Sequence, residues 1–185
     1  MAKFCPECGK PTIKYDLAGR MRDVCPDGHF VQFAEMHNSA AALVFRDDTV
    51  LLVQHNHPTK SWSLPGGYIE QEEDLTLGLQ REVKEESGVD VEPIGIVAVR
   101  NLVKEKRNEL YIIFLCEADN SQTPVSLDTD EILDAAFVPL VDIPTWNVTP
   151  FTSRIIQGYI QHKPDPMRIF KIDAYMPNAF MFGNL

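Results

Sequence analysis

Basic residues are scarce in this sequence, which has 17 Lys and Arg against 27 Asp and Glu and a formal net charge of −10. Phosphate backbones attract clusters of Lys and Arg, so this balance argues against a general nucleic-acid scaffold and makes nucleic acid an unexpected partner. Any anionic substrate would therefore need a metal ion to help bind it.

Long apolar runs are also missing. No run approaches the roughly 20 residues that span a bilayer, and the first ten residues lack the apolar core of a secretory signal. We therefore expect a soluble cytoplasmic protein with no membrane partner. At 185 residues and 44% hydrophobic content, the chain is long enough for one well-buried core and a small appendage, but too short for two full domains.

Cysteine is sparse and clustered, because three of the four cysteines lie among the first 25 residues. In a cytoplasmic chain such clustering favours metal binding over disulfides. The fourth, Cys116, stands alone in an apolar run and is expected to be a small buried hydrophobic residue.

Residues 1–34 carry a candidate structural zinc site. Its ligands would be Cys5, Cys8, Cys25 and His29. Zinc ribbons that begin with Cys-x2-Cys usually repeat it, whereas here Gly28 occupies the position of the fourth cysteine and His29 would substitute one residue later. Zn²⁺ would stabilise a segment whose own core is too small to fold unaided. Reduced thiols with no ion are the alternative.

Residues 35–163 carry alternating strand and helix signals, which are typical of one globular domain. The predicted elements are a hairpin around residues 46–49, a helix from about Asp74 to Ser87 that ends at Gly88, strands at 94–103, 110–117 and 135–138, and an amphipathic helix at 151–161. The charged segment 104–109 is expected to be a solvated loop. These elements predict an α+β fold with a mixed sheet between helices.

Three glutamates in the first predicted helix, Glu82, Glu85 and Glu86, are spaced three and four residues apart and so lie on one face. Like charges at this spacing destabilise a bare helix by roughly 0.2–0.5 kcal/mol per pair, so the arrangement makes best sense if a cation such as Mg²⁺ occupies the face. The turn at Gly66-Gly67 would let a backbone carbonyl approach the same ion. A merely solvated acidic face is the competing interpretation.

The spacing around these glutamates resembles the Nudix box, Gly-x5-Glu-x7-Arg-Glu-U-x-Glu-Glu-x-Gly-U with U aliphatic, at every fixed position from Gly67 to Val89. The resemblance covers about residues 38–162. It implies a Nudix-type α/β/α sandwich that uses Mg²⁺ or Mn²⁺ to hydrolyse the phosphoanhydride bond of a nucleoside diphosphate linked to another moiety. Small-molecule nucleotides are the implied substrates.

The resemblance also implies roles for single residues. The metal ligands would be the carbonyl of Gly67 and the carboxylates of Glu82, Glu85 and Glu86. Glu73 and Arg81 would support them, since the planar fork of an arginine can hold a carboxylate and fix the helix in its orientation. Glu70 is a secondary candidate for contact with the metal.

Attack by water on phosphorus requires a group that takes the proton. Glu82 or Glu85 could act from the helix, but some members of the family use an acidic residue on a later loop. Here the segment Asp128-Thr129-Asp130-Glu131 is the evident source, and Glu131 is the favoured loop candidate. A solvated acidic loop with no catalytic role is the alternative.

The order of a zinc ribbon followed by a Nudix box is similar to that of NADH pyrophosphatases, but their downstream Ser-Gln-Pro-Trp-Pro-Phe-Pro-x-Ser marker has no counterpart in residues 100–109. The proline that marks many ADP-ribose pyrophosphatases is replaced by Lys104 and Glu105. The substrate is therefore not assigned by the sequence.

Two other interpretations stay open. The chain could be an inactive Nudix-fold nucleotide sensor, or a regulator whose ribbon binds nucleic acid or protein.

The tail, residues 164–185, is apolar enough that we expect it to pack on the domain or on a partner, including a second copy in a homodimer. Tyr68, Trp62 and Phe151 could stack on a base or belong to the core.

Overall fold

The computed structural model describes residues 3–34, 36–104, 107–125, 130–171 and 180–184. The chain divides into two compact units, with the division between Met36 and His37 in the sequence. Within the described part, no helix is both long and apolar enough to cross a membrane.

The N-terminal unit is built around a β-hairpin. Its strands are β1 (Ile13–Leu17) and β2 (Arg20–Val24), which pair antiparallel across the turn Ala18-Gly19. Both turn residues have positive φ, as tight two-residue hairpins require. The buried side chains described in this unit are Cys5, Cys25 and Asp23. So small an interior cannot stabilise the unit by apolar burial alone.

The larger unit is a sheet flanked by two helices. Its elements are β3 (Met36–Arg46), β4 (Thr49–His55), β5 (Trp62–Ser63), α1 (Leu75–Ser87), β6 (Val91–Lys104), β7 (Arg107–Ala118), β8 (Ile132–Pro139), a 3-10 turn (Leu140–Asp142), α2 (Pro150–His162), β9 (Met167–Lys171) and β10 (Phe180–Gly183). Within the described residues the strand order is β10-β9-β6-β7-β3-β4-β5, and β8 pairs with β4. Antiparallel ladders dominate, with a parallel bridge between Trp62 and Val148.

Strand β3 shows why both faces of the sheet are covered. Ala40, Ala42 and Val44 belong to the apolar cluster that contains Leu79 and Val83 of α1. The intervening residues Ala41 and Leu43 belong to the cluster that contains Ile156 of α2. Because successive side chains of a strand point to opposite faces, this uninterrupted apolar run serves two cores at once. The predicted α/β/α sandwich with a mixed sheet is confirmed.

Helix α1 begins and ends with the predicted residue types. The Asp74 side chain accepts hydrogen bonds from the backbone N–H groups of Thr76 and Leu77, which caps the first turn. Gly88 follows the helix with φ 69°, and its N–H bonds to the carbonyl of Lys84. This helix carries the acidic face.

The expectation of a solvated loop at residues 104–109 is wrong where the structure describes it. Strand β6 continues to Lys104 and β7 starts at Arg107, so the two strands pair from Val91 to Ala118. Glu109 lies in β7 and is only 6% exposed. Its charge is met by the guanidinium of Arg100 and the hydroxyl of Ser39, which local sequence could not indicate.

Candidate active site

The guanidinium of Arg81 is the centre of the acidic face of α1. Its Nε and one terminal nitrogen donate to the two carboxylate oxygens of Glu73, at 2.8 and 2.9 Å. The other terminal nitrogen donates to Glu82 at 2.8 Å and to Glu85 at 3.1 Å. A weaker bond of 3.3 Å reaches the carbonyl of Tyr68. One arginine therefore holds three glutamates and the loop that precedes the helix.

The paired charges set the protonation of this cluster. The hydrogen bond from Arg81 lowers the pKa of Glu73, and the same bond raises the pKa of Arg81. Burial raises the pKa of Glu82, although the hydrogen bond and charge of Arg81 oppose the shift. Glu73 is thus a fixed anion that anchors the arginine.

Glu86 is the buried member of the acidic face, with 8% of its surface exposed. Its Oε2 accepts a 2.6 Å hydrogen bond from the backbone N–H of Gly66. Gly66 has φ 141°, and an added Cβ would collide with the carbonyl of Ala40. Only glycine fits this position, so the helix and the preceding loop meet through a backbone that a side chain would block.

Gly67 brings a second backbone group to the acidic face. A Cβ on Gly67 would collide with the carboxylate of Glu82. The Gly67 carbonyl accepts a 3.0 Å hydrogen bond from the N–H of Ala40, and a carbonyl oxygen retains a second lone pair. The carbonyl predicted to bind metal is therefore fixed in place by β3, next to the glutamate predicted to bind the same ion.

Three predicted residues remain: Glu85 on α1, Glu70 before this helix and Glu131 before β8. Glu85 is the most exposed of the three glutamates of the acidic face, with 55% of its side chain accessible. Glu70 donates its N–H to Glu73 at 3.3 Å and lies at the start of the turn before α1. Glu131 lies on the segment before β8, where its carbonyl accepts from the N–H of Asn56. Asp128 and Thr129 lie outside the described residues.

A histidine beside the Glu131 segment was not predicted as a site residue. His55 ends β4, and its Nε2 lies 2.7 Å from the Ser63 hydroxyl. Burial lowers its pKa, with the charge of Glu131 opposing and that of His57 adding to the shift. His55 is therefore neutral at physiological pH and lies within electrostatic range of the favoured loop carboxylate.

Sequence reasoning also missed a polar cluster on the α2 side of the sheet. Glu109 accepts from Ser39 at 2.9 Å and from Arg100 at 3.0 Å. The guanidinium of Arg100 lies 4.6 Å from the ring centre of Tyr111 and 4.7 Å from that of Phe151. The sequence signal for this cluster was the spacing of Glu109 and Tyr111. Two residues that far apart in a strand lie on the same face of the sheet.

Tyr111 links this cluster electrostatically to the acidic helix. Burial raises the pKa of Tyr111 to about 12; the charge of Arg100 opposes the shift, while those of Glu86 and Glu109 add to it. The phenol is therefore neutral at physiological pH. Phe151 packs edge-on against Tyr111, whereas Trp62 is buried against Trp146 in the core.

The N-terminal unit contains the predicted four-residue cluster. The ligand atoms of Cys5, Cys8, Cys25 and His29 all lie within 4.8 Å of one another. The sulfurs of Cys8 and Cys25 are 3.6 Å apart, close to the ~3.8 Å expected across a tetrahedral ion with Zn–S distances of ~2.3 Å. Gly28 has φ 81°, a conformation that disfavours a cysteine there, which agrees with His29 as the candidate fourth ligand.

Comparisons with known proteins found both relatives and solved structures of similar fold. A family model of the NUDIX domain matches residues 35–159. The YjhB protein of Bacillus subtilis (strain 168), provisionally named as an ADP-ribose pyrophosphatase, is 33% identical over 135 residues, 69% of this chain and 62% of its own length. The NAD-capped RNA hydrolase NudC of Vibrio atlanticus (strain LGP32) is 26% identical over 90% of this chain and 59% of its own. Mouse 8-oxo-dGDP phosphatase NUDT18 is 34% identical over 57% and 32%.

These matches span less than two thirds of each relative. A crystal structure of a NUDIX hydrolase from Nitrosomonas europaea is similar in fold, with a TM-score of 0.74 and 24% identity, and the match covers 89% of this chain and 95% of that one. At that identity the likeness concerns the fold alone.

Proposed function

This chain belongs to the Nudix hydrolase family, and we propose that it hydrolyses the phosphoanhydride bond of a nucleoside diphosphate linked to another moiety, with Mg²⁺ or Mn²⁺ as cofactor. The observation that carries the proposal is the arrangement around Arg81, which holds Glu82 and Glu85 on one helix face beside the glycine loop. Such order among like charges is expected where a cation is to be bound.

The residues present fit a hard divalent ion. The proposed ligands are the Gly67 carbonyl and the carboxylates of Glu82, Glu85 and Glu86, all of them oxygen donors. The absence of a Cβ at Gly67 leaves room for the Glu82 carboxylate. When bound, the ion would offset the charge of the phosphates and lower the pKa of the attacking water.

The protein's own groups would orient the reaction and accept the proton. Arg81 keeps the carboxylates of Glu82 and Glu85 in position, because its bidentate hydrogen bond to Glu73 fixes the guanidinium. The proton acceptor is proposed to be a carboxylate, either Glu82 or Glu85 from the helix or Glu131 from the loop before β8. Glu131→Gln separates these options, since a loop base predicts a kcat loss of roughly 100-fold or more and a solvated residue predicts little change.

The names of the relatives narrow the substrate class. ADP-ribose, 8-oxo-dGDP and NAD-capped RNA are named for three of them, and each contains a phosphoanhydride bond next to a nucleoside. We therefore propose a panel of NADH, ADP-ribose, diadenosine polyphosphates, nucleotide sugars and nucleoside triphosphates, each with Mg²⁺ or Mn²⁺. At least one compound should be hydrolysed. Binding without hydrolysis of any compound would instead support a nucleotide sensor.

Glu85→Gln tests the assignment of the acidic face. Glu85 is exposed, so the substitution should leave the fold intact while kcat falls sharply, by ~100-fold if a metal ligand is lost. Glu72→Gln, an exposed glutamate in the turn before the same helix, is the matched control and should keep full activity. Near-normal turnover by Glu85→Gln would refute the metal assignment.

We further propose that residues 1–34 form a zinc ribbon in which Cys5, Cys8, Cys25 and His29 bind one structural Zn²⁺. The convergence of the four ligand atoms supports the proposal, and metal binding would supply folding energy that the small interior of this unit lacks. The purified protein should contain about one equivalent of zinc. Less than about half an equivalent, unchanged by His29→Ala, would count against the site.

A further inference from the structure

We propose that Ser39, Glu109 and Arg100 form a positioning cluster that holds the Gly67–Ile69 loop in the geometry needed for cation binding. This inference rests on the proposed function, because it concerns the same cation. None of the three residues belongs to the Nudix box, and they act on the loop through strand β3.

The cluster reaches the loop through the first residues of β3. Glu109 is 6% exposed and Ser39 is 3% exposed, and the Ser39 hydroxyl donates to Glu109 at 2.9 Å. The residues on either side of Ser39 then bind the loop: the N–H of Ala40 donates to the Gly67 carbonyl and the carbonyl of Asn38 accepts from the N–H of Ile69, both at 3.0 Å. Ser39 thus adds a side-chain bond between β7 and the part of β3 that binds the loop.

Arg100 is the cationic partner of the buried Glu109. Its terminal nitrogen donates to the second carboxylate oxygen of Glu109 at 3.0 Å. The guanidinium lies over the rings of both Tyr111 and Phe151, which meet edge to face, and its buried Nε has no hydrogen-bond partner in the described part of the chain. The two rings and the carboxylate together fix the arginine, and the arginine fixes the carboxylate.

Stability alone does not account for such a cluster. Burying the Glu109 carboxylate costs free energy that its partly exposed partner Arg100 can only offset, and well-packed apolar side chains of the same volume are often as good or better for folding. The polar group that Glu109 orients, Ser39, lies between the two residues whose backbone bonds hold the loop, one of them to the proposed metal-binding carbonyl of Gly67. Positioning of that carbonyl is a role that an apolar replacement could not perform.

The test compares Ser39→Ala, Glu109→Gln and the control Asp90→Asn in the full chain. Asp90 is an exposed carboxylate paired with Lys84 beyond the far end of α1, so its variant removes a charge outside the cluster. The first readout is Mn²⁺ affinity without substrate, measured by electron paramagnetic resonance. We expect Mn²⁺ affinity to weaken roughly tenfold in Ser39→Ala and up to ~100-fold in Glu109→Gln, the range found for groups that orient metal ligands, with Asp90→Asn unchanged.

The second readout separates positioning from a general loss of structure. In Ser39→Ala the metal concentration needed for half-maximal rate should rise, kcat should recover at saturating Mn²⁺, and the substrate KM should stay within about twofold. Equal Mn²⁺ affinity in Ser39→Ala and Asp90→Asn would overturn the proposal. That result would overturn the proposal even if Glu109→Gln binds Mn²⁺ weakly or fails to fold, because the loss of the buried charge alone would then explain the defect of Glu109→Gln.

The same experiment distinguishes failure of this inference from failure of the proposed function. If the wild-type chain binds Mn²⁺ and Ser39→Ala weakens it, but no compound is hydrolysed, the positioning cluster stands and the hydrolase proposal falls. If hydrolysis is observed and Ser39→Ala binds Mn²⁺ as tightly as the wild type, the hydrolase proposal stands and the positioning cluster falls. A wild-type chain that binds no Mn²⁺ contradicts both.

Discussion

Replacing Arg81 with lysine removes the geometry of the guanidinium while keeping its charge. Arg81 makes five hydrogen bonds, two to Glu73 and one each to Glu82, Glu85 and the Tyr68 carbonyl. An ammonium has three donors on one atom and cannot form the two-pronged bond to Glu73 while it also reaches the other carboxylates. At least two of the contacts are therefore lost in Arg81→Lys.

The expected losses in stability and rate differ in size. The Arg81 side chain is 34% exposed and that of Glu73 is 20% exposed, so each lost bond is discounted from the 1.5–3 kcal/mol typical of charged partners to about 0.5–1 kcal/mol. Two lost bonds give about 1–2 kcal/mol, or a Tm lower by roughly 2–8 °C for a chain of this length. The rate should fall further, about 10–100-fold in kcat, because a displacement of the carboxylates near 1 Å is enough to misalign the reaction.

The assay is steady-state hydrolysis of whichever panel compound is turned over, at saturating Mn²⁺, together with thermal unfolding. Lys84→Met is the matched control, since Lys84 lies on the same helix but donates to Gly88 and Asp90 at its C-terminal end. It should lower Tm slightly and leave kcat within about twofold. If Arg81→Lys keeps kcat within threefold of the wild type, the planar fork is not what organises the glutamates.

Three further outcomes follow from other parts of the structure. Gly67→Ala should weaken Mn²⁺ binding and activity by more than about tenfold, because its Cβ would displace the Glu82 carboxylate. The control is Gly158→Ala in α2, where an added Cβ would meet nothing within 4 Å; it should keep activity and gain up to ~1 kcal/mol of stability. Burial lowers the pKa of His55 below 6.5, so the folded state binds fewer protons than the unfolded state and stability should fall as pH drops from 7 through 6.5 toward the lowered pKa; urea unfolding followed by tryptophan fluorescence at pH 7.5 and 5.5 should show a smaller difference in His55→Gln. Cys25→Ser should reduce bound zinc below about half an equivalent, as measured by metal analysis. The rate in the hydrolysis assay should not change, because Cys25 lies outside the acidic face of α1.

Elements that depend on local signals were predictable from sequence. The cap of α1 at Asp74 and its end at Gly88 come from residue types whose effect is confined to one turn. The tight turn between β3 and β4 is similar, with Asp47 at φ 50°. The four-residue cluster of the N-terminal unit was also visible, because thiols and imidazoles at such spacings have few other uses.

Elements that depend on distant partners were not predictable. The sequence of the tail indicates only that it packs somewhere, yet in strands β9 and β10 Met167 pairs with Ile96 and Phe182 packs on Phe114. These partners lie some 70 residues away in the sequence, and pairing over such distances leaves no local pattern. The expectation for Glu109 was wrong for the same reason, since a glutamate near lysines looks solvated until Arg100 and Ser39 are found across the sheet.

The helical repeat makes Glu82, Glu85 and Glu86 equivalent, but their surroundings make them unequal. Glu86 is buried and bonded to the N–H of Gly66, Glu82 is packed against Gly67, and Glu85 is exposed and bonded to Arg81. A substitution at Glu86 would leave a buried donor unsatisfied, which costs about 1–3 kcal/mol and mixes folding with binding. Glu85 is exposed, so its loss would report on the proposed cation with little effect on folding. The acidic face is therefore best probed at the glutamate that contributes least to the fold.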